Sequence, residues 1–207
     1  TGEANQLTFG EHTVSGLTWT PDSKSICFVS NRLDEDDLEN GYDQLWMIST
    51  DGGEPVQIVT TDGPKQSVTY SPDGSKLAWI GHADPTEAWG ELNYRIMFAP
   101  ARGGEAIDVT GALDISVGYD TLSDCHDVGG GKNLQWKHDG SGFYFPVSSR
   151  GDTRLYSISI DGADLIALTA TGHELGSFSI SNEGKAVAIQ ISDWKMPSQI
   201  MVTAPGT

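Results

Sequence analysis

Residues 68–81, VTYSPDGSKLAWIG, set a tight turn between two apolar runs. In the turn, Pro72 presets φ for the second position, Asp73 accepts local hydrogen bonds, and Gly74 is free to take the left-handed conformation. The stretch reads as strand, turn, strand. The pattern returns as LTWTPDSKSICFVS from Leu17, LQWKHDGSGFYFPV from Leu134 and FSISNEGKAVAIQI from Phe178. Ser23 stands where the turn at residue 74 has glycine, at a cost of roughly 1–2 kcal/mol if the backbone is the same.

The second strands, ICFV, LAWI, FYF and AVAI, are apolar at consecutive positions, as expected when both faces of a strand are covered. Sheets must therefore pack on sheets. A third strand follows in each copy (QLWMIS, YRIMFA, RLYSIS, QIMVTA), and a fourth in three of them: PVQIVT, AIDVT and LIALT, each after a Gly-containing turn. The last copy runs to APGT without one, while GEANQLT at residues 2–8 aligns with GEAIDVT at residues 104–110. The head of the chain is thus expected to supply the strand missing from its tail. Four-stranded units repeated in this way describe the blades of a β-propeller. The expected fold is all-β: a β-propeller with four four-stranded blades, at about 14–63, 65–111, 129–170, and 173–204 plus 2–8. The N-terminal strand completes the last blade like velcro, within one chain or between chains, and hides an exposed sheet edge. A fragment of a longer propeller is compatible with this pattern, and a two-sheet sandwich is the structural runner-up.

Charge narrows the partners. With 12 Lys plus Arg against 29 Asp plus Glu, the formal charge is -17, so nucleic acid and anionic membrane surfaces are repelled. No apolar run approaches the roughly 18–20 residues that span a bilayer, and the N-terminus lacks a secretory signal pattern. The two cysteines, Cys27 and Cys125, imply no disulfide framework, which leans cytoplasmic.

Three constellations bear on chemistry. DEDDLENGYDQLW, from Asp34, is rich in carboxylates, but an EF-hand frame started at Asp36 puts Leu38 at the third position and Met47 where the bidentate glutamate belongs. A solvated acidic loop is expected. In YDTLSDCHDVGGG, from Tyr119, an extended backbone projects Asp124 and His126 to one side and Cys125 to the other, too few ligands for a metal. Gly129 to Gly131 lead into a strand, not a helix, and make no phosphate cradle. Trp19, Tyr70 and Trp136, with Ile180 in the fourth copy, occupy equivalent positions and are expected in the core. Trp89, in the polar stretch DPTEAWGELN, is the better exposed contact. The candidate binding residues are therefore Trp89, Asp120, Asp124 and His126, with no catalytic residue, metal ligand or cofactor expected.

WTPDSKSICFVSNR, LWMISTDGGEPVQIV, YSPDGSKLAWIGH, LDISVGYDTLSD and RLYSISIDGADLIALT together resemble the propeller of the acylaminoacyl-peptidase branch of the prolyl oligopeptidase family. The likeness runs from about Gly2 to Val202. The SPDG turns are shared with TolB-like propellers, whereas residues 113–131 are more specific to that branch. Where the family pattern has an arginine-glycine pair, this chain has Cys125 and His126, so no substrate-binding role is carried onto them. The resemblance implies a serine hydrolase whose propeller covers an α/β-hydrolase domain and filters access by size. No Gly-x-Ser-x-Gly elbow occurs in this sequence, and the nearest string, DGSGF from Asp139, is a turn. The chain alone is expected to be catalytically silent. Its expected partners are a hydrolase domain or a peptide substrate, with homo-oligomers possible through edge strands. The other readings are a stand-alone scaffold for protein or peptide, and a carbohydrate-binding or lyase-type propeller using loop carboxylates and His126.

Overall fold

The computed structural model describes residues 2–35, 38–39, 41–87, 90–121 and 133–204. Among them there are strands, turns and loops, and no helix.

The strands follow the repeats. The first repeat forms β1 (Ser15–Trp19), β2 (Ser25–Ser30), β3 (Gln44–Ser49) and β4 (Val56–Ile58), hydrogen-bonded in that order. The second forms β5 (Lys65–Tyr70), β6 (Lys76–Gly81), β7 (Arg95–Pro100) and β8 (Ile107–Asp108), again in order. The third forms β9 (Gln135–Trp136), β10 (Gly142–Ser149), β11 (Asp152–Ser159) and β12 (Ile166–Ala167). The fourth forms β13 (Glu174–Ile180), β14 (Val187–Ser192) and β15 (Gln199–Thr203). One parallel pair, Thr153 with Glu174, joins the last two repeats into a single hydrogen-bonded sheet.

Turn chemistry sets the hairpins. Ser23 N–H donates to Thr20 O at 2.8 Å, as Gly74 N–H does to Ser71 O and Gly184 N–H to Ser181 O. Ser23 takes φ 57°, in line with 71° at Gly74, 72° at Gly140 and 66° at Gly184. The serine thus adopts the left-handed backbone that its glycine counterparts adopt. Asp22 Oδ1 accepts from the Thr20 hydroxyl and from Lys24 N–H, and Asp73 Oδ1 from Ser71 and Ser75. A second recurring device is a β-bulge in the first strand, between Ser15 and Thr18, Gln66 and Thr69, and Leu175 and Ser177.

The chain divides into two compact units, Thr1–Leu92 with Ile96–Asp108, and Asn93–Arg95 with Val109–Thr207. In the first, Cys27, Val29, Leu45 and Ile58 of one repeat pack with Val68, Leu77, Trp79 and Met97 of the next. Leu77, Ala78, Trp79 and Ile80 are all buried in succession, the consequence of covering both faces of β6. In the second unit, Tyr144 and Leu155 meet Leu175, Phe178, Val187 and Ile189.

The first unit also buries a cation. Lys65 is 3% exposed, and its ammonium donates to the carbonyls of Asp43, Thr61 and Gly63 at 2.8, 2.8 and 3.0 Å. It lies 5.6 Å from the Trp79 ring centroid. Burial pulls its pKa down to about 8, and burial likewise pushes the Asp43 carboxyl up. Desolvation thus outweighs the mutual attraction of the two charges, and the carbonyl cage is what holds the ammonium.

One expectation is not met among the described strands, and a second, the core placement of Trp19, needs correction. Residues 2–8 form no strand, Gln6 Nε2 bonds locally to Thr8 O, and β15 is paired only with β14 among the described strands. The closing pair is therefore not among the observed sheets. The arm carries one large apolar side chain, Leu7, too little to order it as a strand without an edge to pair with. Trp19 is 56% exposed, whereas Trp136 is buried and Tyr70 packs against the first core. β1 opens the first sheet, and no described sheet of its unit precedes it to cover that indole.

Candidate functional site

Of the candidate binding residues, Asp120 is described and exposed; Trp89, Asp124 and His126 lie outside the described residues. Asp120 is placed by hydroxyls on the β10–β11 hairpin. Ser148 Oγ accepts from the N–H groups of Asp120 and Thr121, at 2.8 and 3.2 Å. With both acceptor sites used, Ser148 donates its proton to Thr153 Oγ1 at 2.7 Å. Thr153, 1% exposed, in turn donates to Glu174 Oε1 at 2.9 Å, because a carboxylate only accepts. Thr121 Oγ1, 3.0 Å from Thr153, completes the chain of hydroxyls. The parallel Thr153–Glu174 pair explains the arrangement: it brings the starts of β11 and β13 side by side.

Two of these residues, Thr121 and Glu174, line a cleft of about 620 Å³ in the second unit, together with Asp152, His173, Asp193 and Trp194, among others. Asp152 Oδ2 accepts from Gly172 N–H at 2.8 Å, which fixes the strand entry. Asp193 Oδ1 accepts from the N–H groups of Lys195 and Met196, forming the turn that presents Trp194. His173 Nδ1 is 3.7 Å from Asp193 Oδ2, too long for a hydrogen bond. Trp194 is 85% exposed, with the Lys195 ammonium 4.2 Å from its ring centroid. Behind the cleft, burial and then the Glu174 charge push the Tyr119 phenol above its ordinary pKa. Carboxylates, one imidazole and an open indole can hold polar or cationic groups. Among the described residues no group of three or more His, Cys, Asp or Glu side chains could hold a metal ion.

Sequence reasoning missed this cleft. Its signal was the same as that of Trp89: a tryptophan in a polar stretch, SDWKMPS, where nothing nearby demands a core residue.

An all-β chain of repeated antiparallel sheets, with cores shared between consecutive repeats, has the construction of a β-propeller. No family model matches the chain. It is similar to dipeptidyl-peptidase 5 of Porphyromonas gingivalis, 24% identical over 176 residues, which cover 82% of this chain and 23% of that protein. Among solved structures, it resembles a puromycin-hydrolyzing peptidase of Mycobacterium tuberculosis (TM-score 0.66, 17% identity, 94% of this chain and 30% of that one). It also resembles TolB of Acinetobacter baumannii (TM-score 0.64, 17% identity, 95% of this chain and 42% of that one). The relatives thus include peptidases, and the structural neighbours are TolB-like and peptidase propellers, the likeness read from the sequence. The chain spans about a quarter of the length of the curated peptidases it matches.

Proposed function

We propose that the chain is the noncatalytic propeller part of an acylaminoacyl-peptidase-like serine hydrolase, gating and positioning peptide substrate for a hydrolase domain. One observation carries the reading: 82% of a sequence without a Gly-x-Ser-x-Gly elbow matches a region amounting to 23% of a dipeptidyl-peptidase. The cleft beside Thr121 is the positioning surface, with Trp194 and the neighbouring carboxylates facing the peptide; Trp89, Asp120, Asp124 and His126 stay proposed as binding residues. The four repeats are proposed as blades with the boundaries given above, closed by residues 2–8 on β15. No described helix is long and apolar enough to cross a membrane; a cytoplasmic location is proposed from cysteine usage alone.

The purified chain should leave acyl-peptide and dipeptide anilides uncut. Turnover that copurifies with it would overturn the noncatalytic assignment. Peptide titration followed by tryptophan fluorescence should saturate, and Trp194→Ala should remove the response without changing the denaturation midpoint. No response in the unsubstituted chain would overturn the positioning role. The scaffold reading is favoured by one observation, the exposed apolar side chains Leu17, Trp19, Ile200 and Val202.

A further inference from the structure

The cleft of the second unit is walled by two consecutive repeats, with Asp152 from the β10–β11 hairpin, His173 and Glu174 at the entry to β13, and Asp193, Trp194 and Lys195 from the loop after β14. Three carboxylates face one ammonium there, a formal excess of two negative charges. Each aspartate commits one oxygen to the backbone: Asp152 Oδ2 accepts from Gly172 N–H, and Asp193 Oδ1 from the N–H groups of Lys195 and Met196. Asp152 Oδ1 and Asp193 Oδ2 accept no hydrogen bond from the described residues. Beside them the Trp194 indole is open, and the Lys195 ammonium, 4.2 Å from its centroid, shows that the ring takes a cation. Elsewhere the chain itself stacks guanidinium groups on its rings. Arg32 Cζ lies 4.4 Å from the Trp46 centroid, and Arg154 Cζ lies 5.3 Å from that of Tyr156 while Nη2 and Nε donate to Thr169 O at 2.7 and 2.9 Å. The cleft offers the same pairing of ring and oxygen acceptors, and no arginine belongs to its lining; Arg150 precedes the lining residue Gly151 but is not part of it.

We propose that this cleft receives the arginine side chain of a peptide, its guanidinium lying on the Trp194 indole and donating to Asp152 and Asp193. This rests on the positioning reading above and names the side chain that the surface selects. A guanidinium suits the site better than an ammonium: it is flat, so it stacks on the indole, and its fork of N–H donors serves two acceptors at once. His173 Nδ1, shielded from water and without a hydrogen bond, is a further acceptor 3.7 Å from Asp193 Oδ2 when the ring proton is on Nε2. Lys195 is the built-in competitor, because its ammonium covers the ring and is displaced as the guanidinium stacks. That gives Lys195 the opposite sign from its neighbours: removing it helps a cationic ligand, whereas an anionic ligand would lose its one ammonium. The formal charge of -17 raises the local concentration of cationic peptides around the whole chain.

The test uses the full chain and titration calorimetry, which needs no tryptophan signal. The probes are short alanine peptides blocked at both ends, with arginine, its neutral isostere citrulline, or glutamate at the centre; a fourth has citrulline and a free N-terminus. The arginine peptide should bind at least about tenfold tighter than the blocked citrulline peptide, with glutamate weakest, and should weaken as salt is raised. Asp193→Asn keeps an oxygen for the turn and removes the charge, so it should weaken the arginine peptide about threefold, and Lys195→Met should tighten it by about the same factor. Asp152→Asn serves as the second charge removal, with the same expected loss, where Asp193→Asn lowers the denaturation midpoint. Equal affinity for the arginine and citrulline peptides, or an arginine preference that none of the three substitutions changes, overturns the arginine assignment and leaves the positioning reading in place. Tightest binding by the peptide with the free N-terminus overturns it in favour of a terminal ammonium. Heat from none of the four overturns the positioning reading and this assignment together.

Discussion

Ser23→Gly should stabilise the protein. Ser23 sits at φ 57° in the turn where Gly74 sits at 71°. A left-handed L-residue costs roughly 1–2 kcal/mol through contact of its Cβ with the following carbonyl. Glycine removes that contact but loses more backbone freedom on folding, which returns about 0.4–1 kcal/mol. The net gain is therefore about 0.5–1 kcal/mol, roughly a two- to fivefold change in the folding equilibrium. No packing is forfeited, because the side chain is exposed and the turn bond uses Ser23 N–H, which glycine keeps. Urea unfolding reads the change as a raised midpoint at unaltered slope. Ser23→Ala separates the hydroxyl from the Cβ and should match the parent closely. The mirror change, Gly74→Ser, should cost more than Ser23→Gly gains, because a Cβ there comes 2.8 Å from Pro21 Cγ. If Ser23→Gly were neutral or destabilising while Gly74→Ser was tolerated, the turn would not carry the strain assigned to it.

Lys65→Met should destabilise by about 2 kcal/mol, since one buried and two part-buried carbonyls lose a charged donor while about 3 kcal/mol of desolvation is relieved. Chemical denaturation at neutral pH reads it. The Lys65 pKa is depressed from 10.5 to about 8, so above pH 8 the unfolded chain holds more protons than the folded one at this group. Its contribution therefore makes stability rise with pH from about 8 toward 10.5. Cys27 and Tyr70, both raised to about 12 by burial, act oppositely once their unfolded forms titrate near 9 and 10. The rise should be clearest between pH 8 and 9 and be absent in Lys65→Met; an equal slope in both proteins would refute the buried-cation account. Thr153→Val removes the hydroxyl shared by Ser148 and Glu174 while Ser148 keeps the Asp120 and Thr121 amides, and should cost about 1–2 kcal/mol. Hydrogen exchange should speed up at the Asp120 and Thr121 amides, which depend on Ser148, more than in the first unit.

The hairpins were legible because each rests on local chemistry: a turn triplet such as Pro72-Asp73-Gly74 states its backbone within a few residues, and consecutive apolar positions such as Leu77 to Ile80 state that both faces are covered. Even the serine exception could be read, since Ser23 had to adopt the conformation of its counterparts or break the repeat. Of the bulges, those after Ser15 and Leu175 carried a sign, Gly16 and Gly176 inside the strands, whereas the one after Gln66 puts Ser67 at φ 52° with no glycine to announce it. Nor was the Lys65 cage announced, since its acceptors are backbone carbonyls that every residue carries.

The cleft was hidden for a different reason. Thr121, Asp152, Glu174 and Asp193 are widely spaced in sequence, and they share a wall because Thr153 pairs with Glu174 across two repeats. A single parallel pair has no sequence period of its own; it follows from how one hairpin lies against the next. Repetition thus explains both outcomes. Features confined to one repeat unit recur and can be aligned, whereas a site assembled from the ends of adjacent units uses the residues in which the units differ. His173 and Glu174 stand where the second repeat has Gly63 and Pro64, so alignment alone would have marked them as departures and pointed to this rim.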